Sequence, residues 1–260
     1  MKIETKKVDY DQLAPTYDQR YTHQPPSGVA QSLQDFVVLH QSKDVLEVGC
    51  GTGHWLSRLS ILSPRCFGLD LSRGMLQQSY AQQPDLLLVQ GSASQLPFTE
   101  QTFDGIYCVD AIHHFDQPET FIREAYRLLR PGGWLAVIGG NPHGDRQSWF
   151  VYQYFPCTYE TDLARFPGES KVIHWFEQAG FRGIQRQVVD GISRNFVGRQ
   201  VLSDPFLQKT ACSQLALLSE AEYSAGMASL EQAIQRAEQE GSVLEFRTEI
   251  TIFMWCAQKE

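Results

Sequence analysis

Val45-Leu46-Glu47-Val48-Gly49-Cys50-Gly51-Thr52-Gly53 is an apolar strand that runs directly into three alternating glycines. Glycines at this spacing let the backbone turn tightly and approach a ligand without a Cβ in the way, and the chain then enters a helix at Trp55. About 20 residues later a second apolar run ends at Leu69-Asp70, the separation at which nucleotide-binding folds set a carboxylate against two ribose hydroxyls. The glycine pattern is G-x-G-x-G, whereas a pyrophosphate seated on a helix N-terminus favours G-x-G-x-x-G. A nucleoside ligand without phosphate therefore suits the loop better, which weighs against a nicotinamide oxidoreductase.

Outward from this loop, short β-rich runs alternate with helical patterns. Val45 to Val48, Cys66 to Asp70, Leu86 to Gln90, Gly105 to Val109 and Trp134 to Gly139 read as strands of a parallel sheet with crossover helices. Ser72 precedes a helix through Met75, Leu76 and Ser79. Phe121, Ile122, Ala125, Leu128 and Leu129 fall at helical spacing in a second helix from Pro118, which Pro131-Gly132 is expected to end.

The E-x-G-x-G-x-G run followed by an acidic ribose clamp resembles the first two motifs of class I S-adenosylmethionine-dependent methyltransferases. Three further segments extend the resemblance in the same order: Gly91-Ser92-Ala93-Ser94-Gln95-Leu96-Pro97-Phe98, Phe103-Asp104-Gly105-Ile106-Tyr107 and Arg127-Leu128-Leu129-Arg130-Pro131-Gly132-Gly133. Together they span roughly Asp9 to Gly140 and resemble the methyltransferase domain 11 type, the branch that includes the ubiquinone and menaquinone C-methyltransferases.

The resemblance implies a doubly wound, mostly parallel seven-stranded α/β sheet, Rossmann-like, with an antiparallel last strand. It implies S-adenosylmethionine as cofactor and S-adenosylhomocysteine as product. Residues 1–43 then form N-terminal lid helices, in which Tyr17 of Tyr10-Asp11-Gln12-Leu13-Ala14-Pro15-Thr16-Tyr17-Asp18 covers the methionine end and Arg20 offers a guanidinium to a carboxylate. Carried over by motif, the cofactor-binding set adds Glu47, Gly49, Cys50, Gly51, Gly53, Asp70, Leu71, Met75, Ser92, Ala93, Val109 and His114. Ser92 departs from the family's usual aspartate and is a neutral, weaker acceptor for the adenine amino group.

Asp110-Ala111-Ile112-His113-His114-Phe115 follows the fourth strand, at the carboxyl edge where open α/β sheets bind ligands. His113 and His114 are the candidate proton carriers, with a structural role in shaping the cofactor pocket as the alternative. A sulfonium methyl is already activated, so alignment of nucleophile, methyl and leaving sulfur supplies much of the acceleration and a dedicated base is optional.

Past Gly140 the chain departs from a minimal domain. Trp149-Phe150-Val151-Tyr152-Gln153-Tyr154-Phe155 is aromatic enough to line a pocket or to pack a core. A helix from Val172 to Ala179 leads to a strand near Gly183 to Val189, and Leu244 to Cys256 reads as the last strand. Residues 44–191 and 242–260 thus make the core. The intervening 192–241 is far longer than a hairpin loop of about 2–5 residues and reads as a helical cap insertion in the same domain. Within it Ser219-x-x-Glu222 makes a capping box. Tyr223, Met227, Leu230, Ala233, Ile234 and Ala237 form one apolar stripe that Gly241 stops.

The 260 residues, 42% hydrophobic, suffice for one domain with an appended cap. A net charge of -8 disfavours a nucleic-acid partner and the rival reading of a tRNA-modifying methyltransferase. Six scattered cysteines without a C-x-x-C pair suggest neither a metal site nor disulfides, and the family's arsenite-binding cysteine loop is not matched. The N-terminus lacks the apolar core of a signal peptide and no apolar run approaches the roughly 18 residues of a membrane span, so a cytoplasmic protein without a membrane span is expected. The expected partner is a small-molecule methyl acceptor, partly apolar or aromatic. A non-catalytic sensor or scaffold that binds S-adenosylmethionine is the rival from another class, and the oligomeric state is left open.

Overall fold

The computed structural model describes residues 7–21, 27–63, 65–144 and 148–260. Eight strands among them form one sheet: β1 (Asp44–Val48), β2 (Arg65–Asp70), β3 (Leu87–Gln90), β4 (Phe103–Val109), β5 (Leu129–Gly140), β6 (Ser148–Trp149), β7 (Arg182–Val197) and β8 (Glu245–Gln258). The order is β3-β2-β1-β4-β5-β8-β6, with β7 on the other edge of β8. Strands β1 to β5 are parallel neighbours, and β8 runs antiparallel to β5, β6 and β7. The expected seven-stranded, doubly wound sheet is therefore present, and the two-residue β6 adds the eighth strand.

The helices are α1 (Tyr10–Leu13), α2 (Ser27–Leu39), α3 (Leu56–Leu59), α4 (Arg73–Gln82), α5 (Pro118–Leu128), α6 (Phe150–Tyr154), α7 (Thr158–Arg165), α8 (Glu169–Ala179), α9 (Ser213–Ala216) and α10 (Glu220–Gln239). Central strands are apolar on both faces because helices cover both. Leu46, Val48, Ile106 and Leu135 pack with α5 and α8 through Phe121, Ile122 and Phe176. Val45, Tyr107, Ala136 and Ile138 pack on the opposite face with α2 and α3 through Leu33, Phe36 and Leu56. Full burial of such an aliphatic side chain contributes roughly 1.5–3 kcal/mol.

Helix α5 stops earlier than its sequence suggests. Leu129 is already extended as the C-cap, and Pro131-Gly132-Gly133 forms an irregular start to β5, where the pairing with β4 shifts between Phe103 and Gly105. Lys259 holds this corner, its Nζ donating to the carbonyls of Tyr126 and Leu129 at 2.7 and 2.8 Å.

The insertion also differs from the expectation of a helical cap starting at Ile192. Strand β7 continues to Val197 and pairs with β8 as far as Glu245, so the cap begins as a β-ribbon. The alternation of Ile192, Arg194, Phe196 with polar neighbours carries the strand through. Since Gly140 at the end of β5 pairs with Ile252, the 245–251 half of β8 overhangs the carboxyl edge of the parallel strands. On that overhang sits a separate apolar core, in which Phe150, Phe155, Leu207, Leu215, Leu230, Ile234 and Phe246 are buried. Ser219 and Glu222 make the reciprocal capping box at the start of α10.

Candidate functional site

The glycine loop leaves β1 with Gly49 at φ +78° and Gly51 at φ +53°, backbone that a side chain rarely adopts. A Cβ at Gly49 would also lie 2.6 Å from that of Ala111. The loop is fixed to β2, because the N–H groups of Gly49 and Cys50 both donate to the Leu69 carbonyl at 2.7 and 3.0 Å. Asp70 then reaches back: its Oδ2 accepts from Gly51 N at 2.8 Å and its Oδ1 from Ser72 N at 2.8 Å. Burial pushes this carboxyl above the usual range, against the lowering effect of those backbone donors.

A cavity of about 590 Å³ opens beside this loop, at the carboxyl edge of β1, β2 and β4. Tyr17, Gly49, Gly51, Asp70, Leu71, Met75, Ser92, Ala93, Val109, His113 and His114 all line it, so most of the sequence-predicted site converges on one space. Glu47 and Cys50 line an adjoining cavity of about 290 Å³ that Gly49, Gly51, Tyr17 and Val109 share. The Glu47 carboxylate accepts from Tyr107 Oη at 3.0 Å, and burial raises its pKa well above the ordinary value. Gly53 is not brought to either wall; a Cβ there would run into Ser79 Oγ and Leu86 Cδ1. The side chain of Arg20 lies outside the described residues.

The N-terminal segment closes over the loop through contacts that the motif reading did not single out. Asp11 Oδ1 accepts from Ser72 Oγ at 2.6 Å and from Gly74 N at 2.7 Å, fixing α1 to the start of α4. These hydrogen bonds, that of Ser72 foremost, hold the Asp11 carboxyl below its usual pKa. Asp18 accepts from Thr52 Oγ1 and from Gln82 Nε2, tying the next turn to the glycine loop. Tyr10 Oη lies 2.6 Å from His114 Nε2, and the His113 ring stacks on Phe166 with centroids 3.8 Å apart.

Asp110 was quoted in its motif but not chosen as a site residue, yet it lines the large cavity, the Glu47 cavity and a third chamber. Its φ of +48° is unusual for a residue other than glycine, a strain that clusters at functional sites. Backbone geometry of this kind leaves no trace in a single sequence beyond the tolerance of Asp for it.

The third chamber, about 130 Å³, lies between β8, the ribbon and the cap helices. Trp149, Tyr152, Phe206 and Ile250 give it apolar walls, while Tyr10, Tyr17, Asp110, His113, His114 and Phe166 are shared with the large cavity. The aromatic segment thus does both things open to it: Phe150 and Phe155 pack the cap core, whereas Trp149 and Tyr152 also face the chamber. Among the described residues no cluster of three or more His, Cys, Asp or Glu side chains is placed to hold a metal ion, and no helix is long and apolar enough to cross a membrane.

A family model described as a methyltransferase domain matches residues 46–137, from β1 to β5. The chain is 35% identical over 166 residues to phthiotriol/phenolphthiotriol dimycocerosates methyltransferase 1 of Mycobacterium ulcerans, covering 62% of this chain and 55% of that one. It is 30% identical over 166 residues to demethylmenaquinone methyltransferase of Anoxybacillus flavithermus, covering 54% of this chain and 70% of that one. The chain spans about half the length of the mycobacterial relatives. Phosphoethanolamine N-methyltransferase 2 of Haemonchus contortus, solved with S-adenosyl-L-methionine, shares the fold at a TM-score of 0.58 and 18% identity, covering 96% of this chain and 57% of that one.

Proposed function

The chain belongs to the class I S-adenosylmethionine-dependent methyltransferases, of the quinone C-methyltransferase-like type, and on that premise we propose that it transfers a methyl group by direct displacement to a small, partly apolar or aromatic acceptor held under its cap. One juxtaposition supports this reading above others. The ligand cavity beside the glycine loop and the apolar chamber under the cap share Tyr10, Tyr17, Asp110, His113, His114 and Phe166, so a donor in one and an acceptor in the other meet at a common wall.

The residues present fit the cofactor. Asp70 would take the ribose hydroxyls and Ser92 with Ala93 the adenine edge, a reading supported by their shared place in the lining of the cavity. Met75 would pack against the adenine, and the glycine backbone would let the methionine portion approach without a Cβ in the way. Bound there, the cofactor supplies a methyl already activated on a sulfonium sulfur, so the protein's part is to align an acceptor atom with it and to exclude water. Tyr17 and the clasp of Asp11 and Asp18 serve the exclusion. Where the acceptor atom must lose a proton, the His113-His114 pair at the common wall takes it, with Tyr10 holding His114 in place.

The relatives' names specify phthiotriol/phenolphthiotriol dimycocerosates and demethylmenaquinone, compatible with an apolar or ring-bearing acceptor. The tRNA and sensor readings gain no specific observation from the site. The test is calorimetric titration with S-adenosylmethionine and S-adenosylhomocysteine, with NADH as the control ligand, followed by release of S-adenosylhomocysteine across an acceptor screen. Micromolar binding of the adenosyl ligands and acceptor-dependent release are expected; folded protein that binds neither would overturn the reading.

A further inference from the structure

We propose that the cofactor's adenine is read at its ring nitrogen N1 and not at its 6-amino group, so that this chain accepts cofactor analogues that lack the amino group or carry a substituent on it. This rests on the cofactor placement proposed above and adds to it which donor analogues the site takes.

The turn after β3 carries the distinction. Gly91 N donates to the Asp70 carbonyl at 3.0 Å, so the turn is fixed to the residue that would hold the ribose. Gln95 N donates to the Ser92 carbonyl at 3.1 Å and closes it. The Ser92 hydroxyl serves this turn: its Oγ accepts from Ser94 N at 3.3 Å and lies 2.9 Å from Ser94 Oγ, close enough to share a hydrogen. A serine oxygen is one bond from Cβ where a carboxylate oxygen is two, so Ser92 also reaches less far into the cavity than an acidic residue would. It is neutral as well, and a hydrogen bond to a neutral group is about half as strong as one to a charge.

Exposure supplies the second half. Ser92 lines the large cavity and is itself exposed, as is Gln90 before it. Leu71, whose carbonyl accepts from Gln90 Nε2 at 3.2 Å, lines the same cavity and is 69% exposed. The cavity therefore opens to solvent at this edge. A substituent on the 6-amino nitrogen has a way out here, and a missing amino group leaves no buried acceptor orphaned.

Ala93, one residue on, is the opposite case. It is buried and lines the cavity, and its backbone N–H is the donor for N1, which must then offer a lone pair. A 6-oxo purine carries a hydrogen on N1, sets donor against donor and leaves both unpaired, the costlier mismatch.

The experiment titrates the full chain calorimetrically with S-adenosylhomocysteine, its 6-deamino analogue, its N6-benzyl analogue and S-inosylhomocysteine. The deamino and benzyl analogues are expected to bind within about five-fold of S-adenosylhomocysteine, and the inosyl analogue to bind more than about five-fold more weakly. Ser92→Ala is expected to leave this pattern unchanged, because the hydroxyl it removes serves its own turn. Ser92→Asp keeps one oxygen for Ser94 N and brings a second toward the amino group. It is expected to tighten S-adenosylhomocysteine about ten-fold and to leave the deamino analogue behind. The proposal is overturned if the wild type loses more than about five-fold with the deamino or the benzyl analogue, if the inosyl analogue binds within that range, or if Ser92→Asp gains nothing. Failure of the folded chain to bind S-adenosylhomocysteine at all is read in the first titration and is instead the failure of the cofactor site on which this rests.

Discussion

Tyr10 and His114 are 104 residues apart in the chain and 2.6 Å apart in the fold, Oη to Nε2. The bond joins the N-terminal segment to the loop after β4, the two walls that meet between the ligand cavity and the cap chamber. It also selects which ring nitrogen of His114 faces the lid. Tyr10→Phe removes the hydroxyl while keeping the ring, whose edge packs on His114 at a centroid distance of 5.0 Å. One hydrogen bond contributes about 0.5–1.5 kcal/mol net, so affinity for S-adenosylhomocysteine should fall about two- to ten-fold by calorimetry. An unchanged affinity would mean that the lid closes without this contact.

In the proposed cofactor site Asp70 would bear more of the ligand's weight. Its two oxygens already accept from Gly51 and Ser72 backbone donors, which aims the carboxylate and leaves lone pairs for two hydroxyls. Hydrogen bonds to a charged group contribute about 1.5–3 kcal/mol each, so Asp70→Ala should weaken S-adenosylmethionine binding by at least about 100-fold. Asp70→Asn, which keeps the shape and one acceptor, should fall between. Wild-type affinity in both variants would remove Asp70 from the site.

Much of this site could be read directly in the chain because it is local. Glycine spacing, the strand that carries Glu47 and the distance to Asp70 are properties of short segments, and the structure brings Gly49, Gly51, Asp70, Ser92 and Ala93 to one cavity. What escaped is the part made by long-range contact or by backbone strain. The Asp11 clasp on Ser72 joins segments 61 residues apart, and Asp110 owes its place to a left-handed conformation. The continuation of β7 to Val197 was hidden because Gly191 interrupts the pattern; pairing with β8 supplies the missing support, as tertiary context often overrides strand propensity.

Glu47 makes stability depend on pH in an unusual direction. Burial raises its folded-state pKa well above the ordinary 4.5, and the hydrogen bond from Tyr107 offsets this only in part. A raised carboxyl contributes stability that is fully present below the unfolded value and is lost as pH rises through the folded one. Glu47→Gln cannot ionise and still accepts from Tyr107. Its melting temperature should therefore gain on that of the wild type as pH climbs from about 4 to 8. Parallel melting curves across that range would show that Glu47 ionises as freely in the fold as in the unfolded chain.

The cap should respond to mutation separately from the sheet, since its core of Phe150, Phe155, Leu230 and Phe246 is distinct from the clusters on the two faces of the sheet. Gly226 is the place to test this. It lies within α10, where glycine costs about 1 kcal/mol relative to alanine, so on helix propensity alone Gly226→Ala should stabilise. The packing says the opposite: a Cβ at Gly226 would stand 2.2 Å from Cδ1 of Phe155, and the Phe155 ring is fully buried with no room to retreat. Overpacking of this kind costs typically about 1–3 kcal/mol and outweighs the propensity gain. Gly226→Ala should therefore lower stability, and hydrogen exchange should quicken in α6 and α10 while β1 and β4 keep their protection. If exchange instead rises evenly through the sheet, cap and sheet unfold as one unit; if the variant is more stable than wild type, the Phe155 contact does not govern this helix.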